Sequence, residues 1–222
     1  MKEFNLQDLG IFNTAGVYRN LTPAELTEIA LMRGEGILSK TGALVIETGK
    51  YTGRSPDDKF IVDVPKIHKK IAWGKVNRPI SLEKYQAIRS KMVAYLQGRE
   101  LYVFDGFAGA DPDHRKKVRI VNELACQNLF IHQLLIRPTE KELRYFGKPN
   151  FTIIVAPDFH CDPVIDGVHS EAAILVNYVD KEVLIAGSAY AGEIKKSVFS
   201  VTQRKREVDS GEESAGTQSQ EH

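Results

Sequence analysis

Apolar residues recur at helical spacing in several segments of the chain. The segment Thr22–Glu25 is a capping box with proline at the first helical position, and it predicts a helix that ends near Gly34. A second helix is predicted over Ser81–Leu96, where apolar residues return every three or four positions. A further helix is predicted over 123–135. A second capping box, Thr139–Glu142, predicts the start of a short helix after it.

Shorter apolar runs, bounded by turn residues, predict β-strands. These runs are Ala43–Ile46, Phe60–Val64, Leu101–Phe104, Val118–Val121, Phe151–Ala156, Ala172–Asn177 and Val183–Ala186. Strands that alternate with helices favour an α/β fold, and the consecutive strands late in the chain indicate a mixed sheet flanked by helices. Because no linker-like segment precedes residue 202, residues 1–201 are predicted to form one domain.

Residues 202–222 have a different composition from the rest of the chain. They contain three basic and five acidic residues, and their apolar residues are Val208 and Ala215. Such a segment cannot bury enough apolar surface to offset the entropy lost when a chain becomes ordered. We therefore predict that 202–222 is a disordered polar tail.

The overall composition excludes several classes of protein. Hydrophobic residues make up 42% of the chain and charged residues 27%, as in ordinary globular domains, and no apolar run is long enough to span a membrane. The net charge of +1 gives no general attraction to nucleic acid or to an acidic membrane. Two cysteines are too few for a disulfide scaffold, and the N-terminus lacks the apolar core of a secretory signal. We expect a cytoplasmic protein with no nucleic-acid or membrane partner.

The most informative polar stretch is Glu47–Phe60, which lies between two predicted strands. Gly49 and Gly53 permit tight turns, and several hydroxyl groups lie beside them. Arg54 presents a planar guanidinium that matches a carboxylate or phosphate with two parallel hydrogen bonds. From the residues alone, an anion-binding loop and a turn with a solvated arginine are about equally well supported.

A second polar stretch, Gly187–Phe199, follows the last predicted strand. Loops at strand ends commonly carry the sites of α/β proteins. Lys195 and Lys196, close to Tyr190, could bind an anion, or one of them could act as a neutral amine if buried. Taken alone, the pair is better explained as two solvated lysines on a helix surface.

Three further candidates carry less weight. Adjacent residues of an extended chain point to opposite faces, so one metal ion cannot easily collect all of His160–Asp162. His132 lies in an apolar helix and is interpreted as a core or boundary histidine with its hydrogen bonds satisfied. The charge run Asp113–Lys117 is interpreted as a solvated loop.

Generic catalytic motifs are missing from the sequence. In a P-loop, a glycine stands five residues before the glycine of the Gly-Lys pair. The residues at that distance before Gly49, Gly74 and Gly147 are leucine, lysine and glutamate. The metalloprotease, serine hydrolase and protein kinase signatures are also absent from the sequence.

Considered together, the two polar stretches resemble a known enzyme family. Thr48–Phe60 (TGKYTGRSPDDKF) is similar to the N-terminal signature of ATP-dependent phosphoenolpyruvate carboxykinase, and Tyr190–Lys196 (YAGEIKK) is similar to that family's later substrate and metal loop. Between them, four more segments follow the family's order: Trp73–Asn77, Ala108–Pro112, Val118–Val121 and Ile136–Pro138. The resemblance covers roughly residues 10 to 201.

The resemblance implies the N-terminal, substrate-side domain of a two-domain enzyme of gluconeogenesis. Members of the family convert oxaloacetate and ATP into phosphoenolpyruvate, ADP and carbon dioxide, with Mg²⁺ and Mn²⁺ in the cleft between the two domains. By resemblance, Arg54 would clamp a substrate carboxylate and Tyr190 would contact the substrate or carbon dioxide. Lys196 would be a metal ligand, with its amine deprotonated, and would also contribute to substrate and cofactor binding. Lys195 would assist phosphoryl transfer, so Arg54, Lys195 and Lys196 are the predicted catalytic residues.

The sequence departs from the family after Val201. The family continues into a nucleotide-binding half with a P-loop and further metal ligands, whereas 202–222 is polar and unlike it. We therefore expect this chain alone to be inactive and to hold neither ATP nor a metal stably. The alternative is a non-catalytic remnant that binds a small anion or a protein partner.

Overall fold

The sheet is built from strands that span most of the sequence. A computed structural model describes residues 4–202 of the 222-residue chain. The strands are β1 Gly16–Arg19, β2 Ile37–Leu38, β3 Leu44–Val45, β4 Lys59–Asp63, β5 Arg78–Ser81, β6 Glu100–Ala108, β7 Lys116–Asn122, β8 Phe151–Ala156, β9 Ala173–Asn177 and β10 Glu182–Ala186.

Helices separate most of these strands. They are α1 Pro23–Met32, α2 Pro65–His68, α3 Leu82–Leu96, α4 Ala125–His132, α5 Glu140–Arg144 and α6 Pro163–Asp166, followed by α7 over 192–202. The capping boxes predicted at Thr22 and Thr139 are both formed. Helix α4 is shorter at both ends than the predicted 123–135. None of the helices within residues 4–202 is both long and apolar enough to cross a membrane.

Eight strands form one mixed sheet in the order β1-β6-β7-β8-β10-β9-β4-β5. The pairs β6–β7 and β9–β10 are antiparallel, and the other neighbours are parallel. Strands β2 and β3 form a separate hairpin. The predicted α/β fold with a mixed sheet is therefore confirmed.

Apolar side chains fill both faces of this sheet. Along β10, Leu184 belongs to the cluster that α3 covers, whereas Val183 and Ile185 belong to the cluster that α7 covers. This alternation follows from the two-residue period of a strand, which sends neighbouring side chains to opposite faces. The helices thus flank the sheet on both sides, as predicted, and α7 occupies the face that carries the candidate site.

Strand β6 continues beyond the predicted Leu101–Phe104 through a buried carboxylate. Asp105 is fully buried, and arginines from both neighbouring strands neutralise it. Arg119 Nε lies 2.7 Å from Asp105 Oδ1, and Arg19 Nη2 lies 2.6 Å from Oδ2. A buried charge is tolerated when it is paired and hydrogen-bonded in this way, and the apolar pattern alone gave no signal for it.

The predicted tail falls almost wholly outside the described part of the chain. Residue 202 is helical and is the last residue that the structure describes. Residues 203–222 lie outside the described residues, so the prediction of a disordered tail stays a prediction.

Candidate functional site

A cavity of about 720 Å³ is lined by residues from both polar stretches. Arg54 comes from the loop between β3 and β4, and Tyr190 comes from the loop between β10 and α7. Lys195 and Lys196 lie on the first turns of α7 and line the same cavity. The structure therefore brings to one cavity the four residues to which the resemblance assigns a role.

The rest of the cavity wall is mainly apolar. This apolar wall is formed by β6, the turn after β6, β7, α4, the turn after α4, and apolar residues of α7. Its residues are Phe107, Ala108, Ala110, Ile120, Phe130, Ile131, Leu134, Leu135, Ile136, Ile194, Val198 and Phe199. The sequence analysis missed this wall, because its residues have the same spacing as ordinary core residues of a helix or strand.

The first half of the Arg54 loop is held by side-chain bonds to the segment before β9. Gly49 has a φ of +67°, a conformation that favours glycine. Lys50 Nζ lies 2.9 Å from Glu171 Oε1, and the hydroxyl groups of Tyr51 and Ser170 are 3.0 Å apart. These contacts fix how the loop enters the cavity.

The second half of the loop is fixed by two buried carboxylates. Ser55 donates its backbone N–H to Glu193 Oε1 at 2.7 Å, and its hydroxyl donates to Asp58 Oδ2. Asp58 also accepts a hydrogen bond from Ser170 Oγ at 2.8 Å. Arg54 is exposed, and its guanidinium has no hydrogen-bond or ion-pair partner within residues 4–202. Its donors are therefore available to a ligand in the cavity.

Glu193 lies at the centre of this arrangement. Only 5% of the residue is exposed. Burial raises the pKa of Glu193, and the hydrogen bond from Ser55 and the positive charge of Arg54 partly oppose that increase. The Glu193 carboxyl group therefore interacts with the Arg54 loop through a hydrogen bond to Ser55 and through the charge of Arg54.

Tyr190 and the two lysines are placed by the start of α7. Glu193 N donates to the carbonyl of Tyr190 at 3.1 Å, which closes the turn into the helix. A Cβ added at Gly192 would overlap the Tyr190 ring, 2.6 Å from its Cζ, so glycine leaves the space that this ring occupies. Lys195 is exposed, whereas Lys196 is half-buried with its Nζ 4.9 Å from the centroid of the Phe199 ring.

A buried glutamine on α4 is hydrogen-bonded to the loop that carries Tyr190. Gln127 is 1% exposed, and its side-chain amide donates to the carbonyl of Ala189 at 3.1 Å. This bond connects α4, which forms part of the apolar wall, to the residue beside Tyr190. Nothing in the sequence pattern distinguished Gln127 from a surface glutamine.

The three weaker candidates lie elsewhere. Asp162 Oδ1 caps α6 by accepting from the backbone of Val164 and Ile165, and Cys161 is buried while His160 is exposed. Across residues 4–202, no group of three or more histidine, cysteine, aspartate or glutamate side chains could hold a metal ion.

The other two candidates only partly match their predictions. His132 is 5% exposed and packs edge-on against Phe104, as expected of a core residue. However, neither ring nitrogen has a hydrogen-bond partner among the described residues, so the prediction that its hydrogen bonds are satisfied is wrong. The run Asp113–Lys117 ends inside β7, and Arg115 forms an ion pair with Glu142, so only part of it is a solvated loop.

The fold and the cavity define an α/β domain with a cationic cleft large enough for a small-molecule ligand. The family described as phosphoenolpyruvate carboxykinase matches residues 15–208. The match extends seven residues beyond Val201, so the predicted departure from the family directly after Val201 is placed too early. The sequence is also similar to curated proteins named phosphoenolpyruvate carboxykinase (ATP). The one from Fusobacterium nucleatum is 58% identical over 198 residues, which are 89% of this chain and 37% of the relative.

Two further relatives give the same result. One from Moorella thermoacetica is 54% identical over 198 residues, covering 89% of this chain and 38% of the relative. One from Caldanaerobacter subterraneus is 52% identical over 197 residues, covering 89% and 37%. The chain belongs to the ATP-dependent phosphoenolpyruvate carboxykinase family and corresponds to the N-terminal portion of these relatives. It spans little more than a third of their length.

Proposed function

We propose that this domain is the oxaloacetate-binding half of an ATP-dependent phosphoenolpyruvate carboxykinase. The observation that carries the proposal is the position of Arg54. Its guanidinium is unpaired within residues 4–202 and lines the same cavity as Tyr190, Lys195 and Lys196. A cationic fork beside two further amines suits a small molecule with two carboxylates.

In this proposal each cationic group has a distinct role in the intact enzyme. Arg54 holds a carboxylate of oxaloacetate and orients the bond that breaks when carbon dioxide leaves. The electron pair of that bond becomes the enolate, whose oxygen then accepts the terminal phosphoryl group of ATP while ADP leaves. Lys195 stabilises the negative charge on the reacting oxygens, whereas Lys196, with its amine deprotonated, would hold the metal ion of the intact enzyme. Tyr190 lies against the substrate or the departing carbon dioxide.

We propose that a metal ion and the nucleotide are held mainly by the part of the intact enzyme that this chain lacks. Residues 4–202 contain no cluster of acidic, histidine or cysteine side chains that could hold a metal ion, and the sequence has no P-loop. The role of Lys196 as a metal ligand therefore stays a prediction for the intact enzyme, as does the use of ATP, Mg²⁺ and Mn²⁺. We propose that the 222-residue chain alone makes no phosphoenolpyruvate from oxaloacetate and ATP.

Calorimetric titration of the purified chain with oxaloacetate tests the proposal. The unchanged chain is expected to bind, and Arg54→Ala is expected to weaken binding by about tenfold or more, because it removes a charge-assisted hydrogen-bond pair. Arg54→Lys keeps the charge but loses the planar fork, so its affinity should fall between the two. Arg144→Ala is the matched control, since it removes an exposed arginine on α5 outside the cavity.

Other outcomes would contradict parts of the proposal. Equal affinities for the Arg54→Ala and unchanged chains would remove Arg54 from the site. Similar affinities for oxaloacetate and succinate would favour the alternative of a non-catalytic module for small anions. Formation of phosphoenolpyruvate by this chain alone would show that the remaining half is not required.

A further inference from the structure

One hydrogen bond joins the two loops that line the cavity. Ser55, which follows Arg54 in the chain, donates its backbone N–H to Glu193 Oε1 at 2.7 Å. Glu193 lies on the first turn of α7, directly before the turn that carries Lys195 and Lys196. Ser55 and Glu193 are 138 positions apart in the sequence, so this hydrogen bond connects the Arg54 loop to the helix that carries the two lysines.

The other side of Ser55 is also fixed. Its hydroxyl donates to Asp58, which is 2% exposed and is held in turn by Ser170 Oγ at 2.8 Å. Ser55 thus lies between two buried carboxylates, one from its own loop and one from α7. Arg54 is the exposed residue next to this anchored position.

The length of the Glu193 side chain matters for this contact. Glu193 is 5% exposed and lies next to Ile194, whose side chain packs into the apolar cluster beneath α7. From this position the Glu193 carboxylate oxygen lies 2.7 Å from the Ser55 backbone nitrogen. An aspartate would keep the charge but withdraw the oxygen, whereas a glutamine would keep the oxygen in place without the charge.

We propose that Glu193 is a positioning residue that fixes Arg54 relative to Lys195 and Lys196. The expected effect on oxaloacetate binding rests on the proposed function, because it assumes that these three groups bind the substrate together. The contact between Glu193 and Ser55 can be measured with no ligand present, so the two ideas can fail separately.

The test compares Glu193→Gln with Glu193→Asp in the 222-residue chain. Amide hydrogen exchange at Ser55 is expected to be slow in the unchanged chain and in the glutamine variant. It should be about tenfold or more faster in the aspartate variant, where the acceptor is withdrawn. Oxaloacetate affinity, measured by calorimetry, should stay within about threefold for the glutamine variant and fall by about tenfold or more for the aspartate variant.

A buried glutamate outside the cavity provides the control. Glu182 is 5% exposed and bonds Tyr85 and Arg89 at the far end of β10. Glu182→Gln should lower the denaturation midpoint but leave both the exchange at Ser55 and the affinity for oxaloacetate unchanged. A general loss of stability is thereby separated from a positioning effect.

Three results decide between the possibilities. Equal Ser55 exchange in the unchanged and aspartate chains overturns the inference whether or not a ligand binds. Faster exchange in the aspartate chain with unchanged affinity overturns the positioning role and leaves the proposed function intact. The expected exchange pattern in a chain that binds no oxaloacetate supports the fixed geometry and defeats the proposed function instead.

Discussion

At the scale of single residues, His132 is a buried imidazole without a hydrogen-bond partner. Its ring centroid lies 4.7 Å from that of Phe104, and neither nitrogen is bonded within residues 4–202. Burial, with a smaller contribution from the charge of Arg137, lowers the pKa of His132 to about 4. The folded protein therefore holds this ring neutral at a pH where the unfolded chain would protonate it.

This difference predicts a loss of stability in acid that depends on His132. An unfolded histidine titrates near its ordinary pKa of about 6.5, so as the pH falls from about 6.5 to about 4 only the unfolded state gains a proton. The free energy of unfolding should therefore fall across that window, by roughly 2–3 kcal/mol more in the unchanged chain than in His132→Leu. Urea denaturation at a series of pH values measures it.

An exposed histidine serves as the control for this measurement. His160→Gln removes an exposed histidine and leaves the buried ring of His132 in place, so it controls for the general effect of replacing a histidine. Parallel profiles for the unchanged chain and His132→Leu would show that the buried ring does not determine the acid sensitivity.

At the scale of secondary-structure elements, sequence prediction succeeded where burial or capping leaves a local signal. The capping boxes at Thr22 and Thr139 and the apolar runs of β8 and β10 correspond to observed elements. The two strands at the edges of the large sheet, β1 and β5, were missed. Strand β1 is only half-buried along its length, and β5 contains Pro79. An edge strand can be half-polar and can hold a proline, so neither pattern predicts a strand on its own.

The start of α7 gives a prediction about one element. Gly192→Ala should destabilise the chain by about 1–3 kcal/mol, because the new methyl group would displace the Tyr190 ring. In a Tyr190→Ala background the same change should be neutral or stabilising by up to about 1 kcal/mol, since alanine favours helix more than glycine does. A double-mutant cycle by chemical denaturation compares the two.

This prediction is decided by whether the effect of Gly192→Ala on stability differs between the two backgrounds. If Gly192→Ala changes the free energy of unfolding equally in both backgrounds, the Tyr190 ring does not occupy the space above Gly192. A Gly192→Ala chain of unchanged stability would also contradict the steric argument.

At the scale of the whole molecule, the site forms only when distant segments meet. Both polar stretches could be found in the sequence, but the chemistry of each alone allowed a solvated surface loop. Only the resemblance to a family connected Arg54 with Lys196 before the fold was known. The supporting residues Gln127 and Glu193 could not be assigned, because their roles depend on contacts made across the fold. The apolar wall has the spacing of core residues and was hidden for the same reason.

The exposed part of that wall predicts self-association of the chain. Phe199 is 49% exposed, Leu134 40% and Ile136 39%, and all three line the same cavity. Exposed apolar patches favour contact between molecules. Light scattering over a concentration series should show mass increasing with concentration, and Phe199→Gln should shift the equilibrium toward monomer.

A second exposed apolar residue gives the control for this effect. Val164 is 90% exposed but lies on α6, which packs beside α3 and does not line the cavity. Val164→Gln should leave the association unchanged. A chain that stays monomeric at every concentration would contradict the prediction.

The strand order of the large sheet also affects how the protein is made. Strands β4 and β5 leave the ribosome early, yet β4 pairs with β9, and β10 joins that pair to β8 and the rest of the sheet. Until β10 has been synthesised, the β9-β4-β5 part of the sheet lacks the strand that joins it to the β1-β6-β7-β8 part, and the edges of β8 and β9 that β10 covers lack that partner. Such edges recruit other chains and are shielded by chaperones. The two parts of this sheet are joined only after β10 has been translated.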